Sequence, residues 1–396
     1  MKVLIAGGGI AGLTAAISLA LRGASVDILE QSDRLGDVGA GIQLSANAMH
    51  VMRKIGLAEQ LEQTACEPIS GTLRQFKTGK PYFSTPLKHA HQQRYGAKYL
   101  HIHRADLIAA LYEKAQSMGV TLHLGQRLAS YNQDMNGITA ISHSGQAFTA
   151  ELLIGADGIH SCVRDAILKK YSTNTNSAEF THQVAWRGLV PSDRVPKALI
   201  SPDANVWLGP KRHFVAYYLR GGELINFIAI EERNAWTQES WTTQGNIEEL
   251  RSAFADWDPA IGQLLQATQD CYLWGLFDRP PLPSWHDGRA VLIGDACHPM
   301  LPFMAQGGAV SIEDAYILAD QLTTQTNLQR ALKAYEAIRK PRATMVQTLS
   351  KSNAKIYHAS GRTGELKKRV QFCVANAIPQ IANLRLDKIY GHNVTK

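Results

Sequence analysis

The stretch Lys2-Val-Leu-Ile-Ala-Gly7-Gly-Gly9-Ile-Ala-Gly12, then an apolar run to Leu21 and Ala24-Ser-Val-Asp-Ile-Leu-Glu30, decides the fold. Val3 to Ala6 is short, apolar and partly β-branched, as a strand buried on both faces should be. Gly7, Gly9 and Gly12 fit G-x-G-x-x-G between that strand and a helix. Gly7 allows the tight turn, Gly9 lets a pyrophosphate approach the backbone, and Gly12 lets helix and strand pack closely. The free N–H groups and positive end of the helix then meet the phosphates. Val26 to Leu29 reads as the second strand, and Glu30 ends it, eighteen residues after Gly12, placed for ribose hydroxyls. Strand, triplet, helix, strand and acid in register predict a dinucleotide site. An ordinary βαβ turn needs neither all three glycines nor the acid.

Working outward, 396 residues give room for a large core and two domains. A content of 45% hydrophobic and 19% charged residues is that of a globular protein. Met1 leads almost at once into a strand, so no signal peptide is expected, and no apolar run is long enough for a bilayer. The five cysteines are scattered and never form C-x-x-C, which argues for reduced thiols in a cytoplasmic protein without a zinc site. The formal charge of +7 comes from dispersed lysines and arginines with no basic stripe, which speaks against nucleic acid and for attraction of anionic ligands.

Along the chain, Gly36, Gly39 and Gly41 suggest a backbone passing close to something flat or crowded, or else a flexible loop. Asn47 to Ile55 reads as a helix, and Ile69 to Lys98, with Pro81 and Pro86, as irregular chain entering a second domain. His101 and His103 share one strand face, but no third ligand lies at metal spacing, so no metal is expected. Asp106 to Met118 reads as a helix and Val120 to Leu124 as a strand. Glu151 to Gly155 is a strand that delivers Asp157 and Gly158 at its carboxyl end, where α/β sheets bind ligands; Asp157 or Ser161 could equally cap the next helix.

From Ala178 the texture turns to β. His213 to Leu219 and Leu224 to Ile230 flank Gly221-Gly222, which suits a primed two-residue turn and sets Tyr217 opposite Asn226. His213, Tyr217 and Asn226 on one face form either a substrate wall or a solvent-facing polar patch. Val291 to Ile293 is a strand ending near Asp295, and a helix is predicted from near Ala309, with Glu313 and Asp314 as acids in its first turn. The helical tail to Gly391 has no role derivable from its pattern.

Three motifs together resemble one family: the first triplet with Glu30, Asp157-Gly158 with Arg164, and Gly294-Asp295-Ala296 with His298-Pro299. The chain is thereby identified as similar to the single-component FAD-dependent aromatic hydroxylases, among them those acting on salicylate, hydroxynicotinate and hydroxybenzoate. The resemblance implies an α/β fold, α+β overall: a Rossmann-like FAD-binding domain with an inserted β-sheet substrate domain and C-terminal helices. The FAD domain would comprise 1–70, 99–175 and 280–340, the substrate domain 71–98 and 176–279, and the C-terminal helical segment 341–396.

By the same resemblance, Gly7, Gly9, Ala11, Gly12 and Glu30 hold the ADP half of FAD, and Arg104 contacts the cofactor. Asp157 and Gly158 serve FAD and NAD(P)H, Asp295 the ribityl or pyrophosphate part, and Gly307, Gly308 and Ala309 the flavin ring edge. His213 and Tyr217 would be catalytic, with His213 as base oriented by Tyr217, and Gln43, Asn226 and Pro302 would bind substrate. Gln43 and Ala204 stand where the hydroxynicotinate enzyme has histidine and cysteine, so the ring substrate stays open. The implied activity is hydroxylation of a small aromatic, with NAD(P)H and O2 as co-substrates, by a monomer or homodimer. A flavoprotein oxidase of the same fold and a non-catalytic flavin-binding protein are the alternatives. A disulfide reductase is excluded by the missing C-x-x-x-x-C pair.

Overall fold

Val3, Leu4 and Ile5 are at most 1% exposed because their strand has a parallel neighbour on each side. In the computed structural model, which describes residues 1–36, 40–171, 178–236 and 243–396, Lys2–Ala6 lies between Ser25–Leu29 and Leu152–Gly155. Thr121–His123 extends the sheet beyond one neighbour and Ala290–Leu292 beyond the other, with His286–Asp287 antiparallel at the edge. This arrangement brings the carboxyl ends of the first strand, Leu152–Gly155 and Ala290–Leu292 side by side, where open α/β sheets bind ligands. Helix Ile10–Ala20 packs against Gly307–Thr324 and Arg104–Ser117, and this burial on nearly all sides explains its almost unbroken apolar sequence.

A second sheet has seven strands in the order Tyr272–Asp278, Glu179–Pro191, Leu224–Glu232, Arg212–Leu219, Ala204–Gly209, Ser70–Gln75 and Pro81–Pro86. The strands of the segment Ile69 to Lys98 therefore belong to the second sheet, and the segment is not irregular. It holds two strands and the helix Lys88–Tyr95, ended by Gly96 at φ +81°. Pro81 and Pro86 bound an edge strand, the one sheet position that tolerates a missing N–H donor. The predicted hairpin has its predicted register, Tyr217 opposite Asn226. Gly221 and Gly222 both take positive φ, +63° and +103°, in a mirror-image turn closed by Glu223 N–H to Arg220 O at 3.1 Å. One face of this sheet, with Phe214, Phe227 and Trp186, packs on helices Ile247–Ala253 and Pro259–Ala267.

The helix expected from Ala309 begins at Gly307, so Glu313 and Asp314 fall in its second turn and its first turn carries no acid. Leu328–Tyr357 continues as one helix through Pro341, so the boundary drawn at 340/341 lies inside it. The boundary at 175/176 and Gly39 of the three-glycine loop lie outside the described residues. Helices Gly361–Ala377 and Pro379–Tyr390 return over the second sheet and over helix Ala46–Lys54. Among the described residues no helix is long and apolar enough to cross a membrane.

Candidate active site

The glycine triplet divides into structural and open positions. A β-carbon on Gly7 would stand 2.3 Å from Ala156 O, and one on Gly12 would stand 1.9 Å from Gly7 O. These two glycines let strand and helix touch. A β-carbon on Gly9 would meet no protein atom within 4 Å, so the space there is open to a ligand. Gly9 is also the N-cap of the helix, which has no side-chain cap and no acid in its first turn. Its amides face outward without competition, as a pyrophosphate requires. Glu30 is held by two backbone donors, Gly8 N at 2.7 Å and Ser32 N at 2.9 Å.

Gly7, Gly9, Glu30, Arg104, Asp157 and Gly158 line one cleft of about 780 Å³, and Asp295 and Pro302 line it too. The capping reading of Asp157 holds. Its Oδ2 accepts from Cys162 N at 2.8 Å and Val163 N at 3.3 Å, capping the Cys162–Leu168 helix together with Ser161. Its Oδ1 is buried in the cleft wall and has no hydrogen-bond partner among the described residues. A buried acceptor of this kind calls for a donor from a ligand. Burial raises the Asp157 carboxyl, while Ser161 and the backbone amides oppose the shift. Burial also raises Asp295, against His298 and Arg104, and lowers Arg104, against Asp295 and Glu30. Arg34 and Arg127 add positive charge to the cleft. Sequence reading missed both, because neither belongs to a motif with fixed spacing.

Ala11 and Gly12 stand behind the cleft. The Ala11 side chain packs by Gly294, where a β-carbon would come within 3.1 Å of it. Gly307, Gly308 and Ala309 open the Gly307–Thr324 helix, which has no side-chain cap. A β-carbon on Gly308 would strike Ile42 Cδ1 at 2.6 Å, and Ile42 lines the cleft, so this helix start backs directly on the cleft wall.

Behind the same helix lies a charge cluster that sequence reading did not foresee. Arg339, fully buried, holds Glu313 at 2.7 Å and Asp314 at 2.8 Å, and Arg342 holds Glu313 at 3.0 Å. Asp314 also accepts from Gly294 N at 3.1 Å and pairs closely with His298. Burial alone would raise Asp314, but His298 and Arg339 hold its carboxyl down to about 2. Cys297, His298 and Asp314 bring ligand-type atoms within 4.8 Å of one another, yet the carboxylate is already shared among these partners.

The sheet face carrying His213, Tyr217 and Asn226, which are at most 2% exposed, meets the cleft through Ile228, whereas His213 and Tyr217 are not among the residues that line it. The solvent-facing alternative for these residues is thereby overturned. Asn226 Oδ1 accepts from Gly41 N at 2.8 Å, its Nδ2 has no partner among the described residues, and it lines a smaller cavity beside the cleft. The Tyr217 ring lies 4.2 Å from that of His101 and covers Gly41. Gln43 Oε1 accepts from Tyr99 O–H at 2.5 Å, and Gln43 also contacts the Tyr217 phenol. Pro302 begins the turn Pro302–Met304, whose Phe303 ring is 5.3 Å from His213.

His213 was expected to be oriented by Tyr217. Residues four apart on a strand stand about 13 Å apart, too far for a direct bond. The His213 Nδ1 instead lies 2.8 Å from His358 Nε2. Tyr357 and His358, at the end of the long helix, and Tyr390, packed on Tyr99, close this region from the C-terminal side. Burial pushes the Tyr357 and Tyr390 phenols up to about 12, so both stay protonated. No spacing rule links residues 213 and 358, and only the fold joins them.

The FAD binding domain family matches residues 1–350. The chain is 35% identical over 358 residues to a 3-amino-4-hydroxybenzoate 2-monooxygenase of Streptomyces platensis, covering 90% of this chain and 88% of that one. It is 35% identical over 364 residues to a 3-hydroxybenzoate 6-hydroxylase of Polaromonas naphthalenivorans, with 91% and 89% covered. It is 34% identical over 357 residues to a 6-hydroxynicotinate 3-monooxygenase of Bordetella bronchiseptica, with 89% and 91% covered. Two solved structures share the fold. A salicylate hydroxylase substrate complex superposes with a TM-score of 0.82 at 24% identity, covering 100% of this chain and 96% of that one. HpxO of Klebsiella pneumoniae, complexed with FAD and uric acid, gives 0.83 at 24% identity, with 94% and 92% covered.

Proposed function

The chain belongs to the FAD binding domain family and is an FAD-dependent aromatic monooxygenase, and we propose that its substrate is a small phenolic or hydroxy-aromatic acid. The observation that carries this reading is the buried set His213, Tyr217 and Asn226 on the sheet face whose Ile228 lines a cleft with residues that fit FAD. The open space at Gly9, the uncapped helix start and the unpartnered Asp157 Oδ1 support that fit. Relatives named for hydroxybenzoate and hydroxynicotinate support the substrate class.

When bound, FAD supplies the redox chemistry by which NAD(P)H and O2 deliver one oxygen atom to the ring. The protein's own residues then have five tasks. Gly7, Gly9, Glu30 and the first helix would hold the ADP half, with Arg104, Asp157, Gly158 and Asp295 along the rest of the cofactor. The start of the Gly307–Thr324 helix, free of acids, would stabilise negative charge on the reduced ring. His213 would take the phenolic proton at Nε2, which has no hydrogen bond among the described residues, and so make the ring electron-rich. Tyr217, whose phenol burial raises far above its ordinary value, would stay protonated and donate to the substrate, with Gln43, Asn226 and Pro302 shaping the pocket. The aromatic enclosure of Phe303, Tyr357 and Tyr390 would exclude water.

The test is a screen of aromatic acids for stimulated NADH and NADPH oxidation, with product analysis separating hydroxylation from uncoupled peroxide. His213→Ala should keep FAD and lose hydroxylation by about a hundredfold or more. Turnover near the wild-type rate in that variant would remove His213 as the base.

A further inference from the structure

A buried imidazole that takes a proton must also get rid of it. His213 is 2% exposed, and burial together with the neighbouring His358 holds it well below its ordinary pKa. An imidazolium cannot rest there at neutral pH. The way out is visible in the hydrogen bonds. His213 Nδ1 lies 2.8 Å from His358 Nε2, and His358 Nδ1 lies 3.2 Å from Glu232 Oε1. His358 is 6% exposed, whereas the Glu232 side chain, at the end of its strand, is 37% exposed. Three groups from three separate elements thus lead from the sheet face to solvent.

We propose that His358 and Glu232 form a proton relay that discharges His213. The phenolic O–H bond breaks and its proton joins His213 Nε2, while the proton on His213 Nδ1 passes to His358 Nε2. The proton on His358 Nδ1 then passes to Glu232 Oε1 and on to water. Each transfer breaks one N–H or O–H bond and forms another, no electrons change hands, and the net result is one proton in solvent and one phenolate at the ring. The relay leaves each imidazole neutral with its proton moved to the opposite nitrogen. Ring rotation or a return proton through the same chain, when the product phenol re-forms, restores it.

The surroundings favour transit over storage. Burial, and after it Lys368 from helix Gly361–Ala377, opposes protonation of His358, while Glu232 favours it, and Tyr357 stays a neutral phenol. Gln183 approaches His358 Nδ1 at 3.3 Å from the neighbouring strand, and Lys211 offers only its backbone N–H, to His358 O at 3.3 Å. Glu232, the carboxylate in contact with His358 Nδ1, is the exposed end of the chain.

The relay rests on the reading of His213 as base, and the test separates the two. The probe is the phenolic acid that gives the fastest coupled NADH oxidation in the screen above, used with FAD-loaded enzyme in stopped-flow. His358→Phe should slow hydroxylation roughly tenfold or more and shift its pH profile, with flavin reduction by NADH unchanged. In His358→Ala, added imidazole should restore hydroxylation, which a packing role would not allow. Glu232→Gln should give a smaller loss with a larger solvent deuterium isotope effect. Wild-type rates and pH profiles in both His358→Phe and Glu232→Gln, with His213→Ala inactive, would overturn the relay and leave the base. Wild-type hydroxylation in His213→Ala would overturn both. If the His358 variants do not fold, Glu232→Gln decides alone, a wild-type profile and isotope effect overturning the relay.

Discussion

Tyr217 lies on Gly41 so closely that a β-carbon there would stand 2.6 Å from the phenol oxygen. Gly41 is tied to the same sheet through Asn226 Oδ1 and cannot retreat, so the Tyr217 ring must give way, against a tilted His101 ring 4.2 Å from it. Gly41→Ala should therefore push the phenol out of place and raise the substrate KM about tenfold, about 1.4 kcal/mol, with FAD still bound. The check is KM beside the FAD dissociation constant; an unchanged KM would mean that Tyr217 does not set the pocket.

Gly9 and Gly12 should fail differently. Gly12→Ala drives a β-carbon into Gly7 O, a backbone atom that cannot yield, so little folded protein is expected. Gly9→Ala meets no protein atom, so the chain should fold with normal far-UV circular dichroism. Its FAD affinity should fall at least about tenfold. Wild-type FAD affinity in Gly9→Ala would show that the open space there is not the cofactor's.

Arg339→Met leaves two buried carboxylates short of their shared cation. Breaking a buried pair from one side costs about 3–5 kcal/mol, much of it from the charge left behind. Urea unfolding of the FAD-loaded variant measures this. A loss well under 1 kcal/mol would mean that Arg342 and His298 take over the whole task.

Stability should also fall on mild acidification. Burial, with His50 nearby, holds His91 down to about 4, and burial holds His101 down to about 3. Unfolded imidazoles titrate near about 6.5, so below that pH the unfolded chain binds more protons than the folded one. The stability these two residues contribute is full above about pH 6.5 and shrinks as pH falls toward their folded values, by up to about 1.4 kcal/mol per unit each. His91 must stay neutral because its Nε2 accepts from Ala46 N at 3.2 Å. A urea midpoint that did not move between about pH 7 and pH 5 would refute this.

What could be read from the chain alone follows from how local each signal is. The first strand, triplet, helix and Glu30 lie within thirty residues, and the hairpin register needed only Gly221-Gly222 and alternation. Where the reading failed, a local rule met a distant partner. Pro81 and Pro86 read as breakers until Ser70–Gln75 was seen to leave their strand at an edge. Glu313 and Asp314 read as first-turn acids until the helix was seen to begin two residues earlier and to bury both against Arg339. His358, Tyr357 and Tyr390 were invisible because helical tails carry no mark of what they cover.

The order of strands has a consequence for how the protein is made. Leu152–Gly155 pairs with the first strand on one side and with Ala290–Leu292 on the other, and five of the second sheet's seven strands, within Glu179–Asp278, are translated in between. While the ribosome works through that insert, the nascent chain carries an unpaired strand edge, the kind of surface that recruits other chains. Cellular yield should then depend on how fast this middle stretch is translated, and slow codons there should cost more soluble protein than the same codons placed after Leu292.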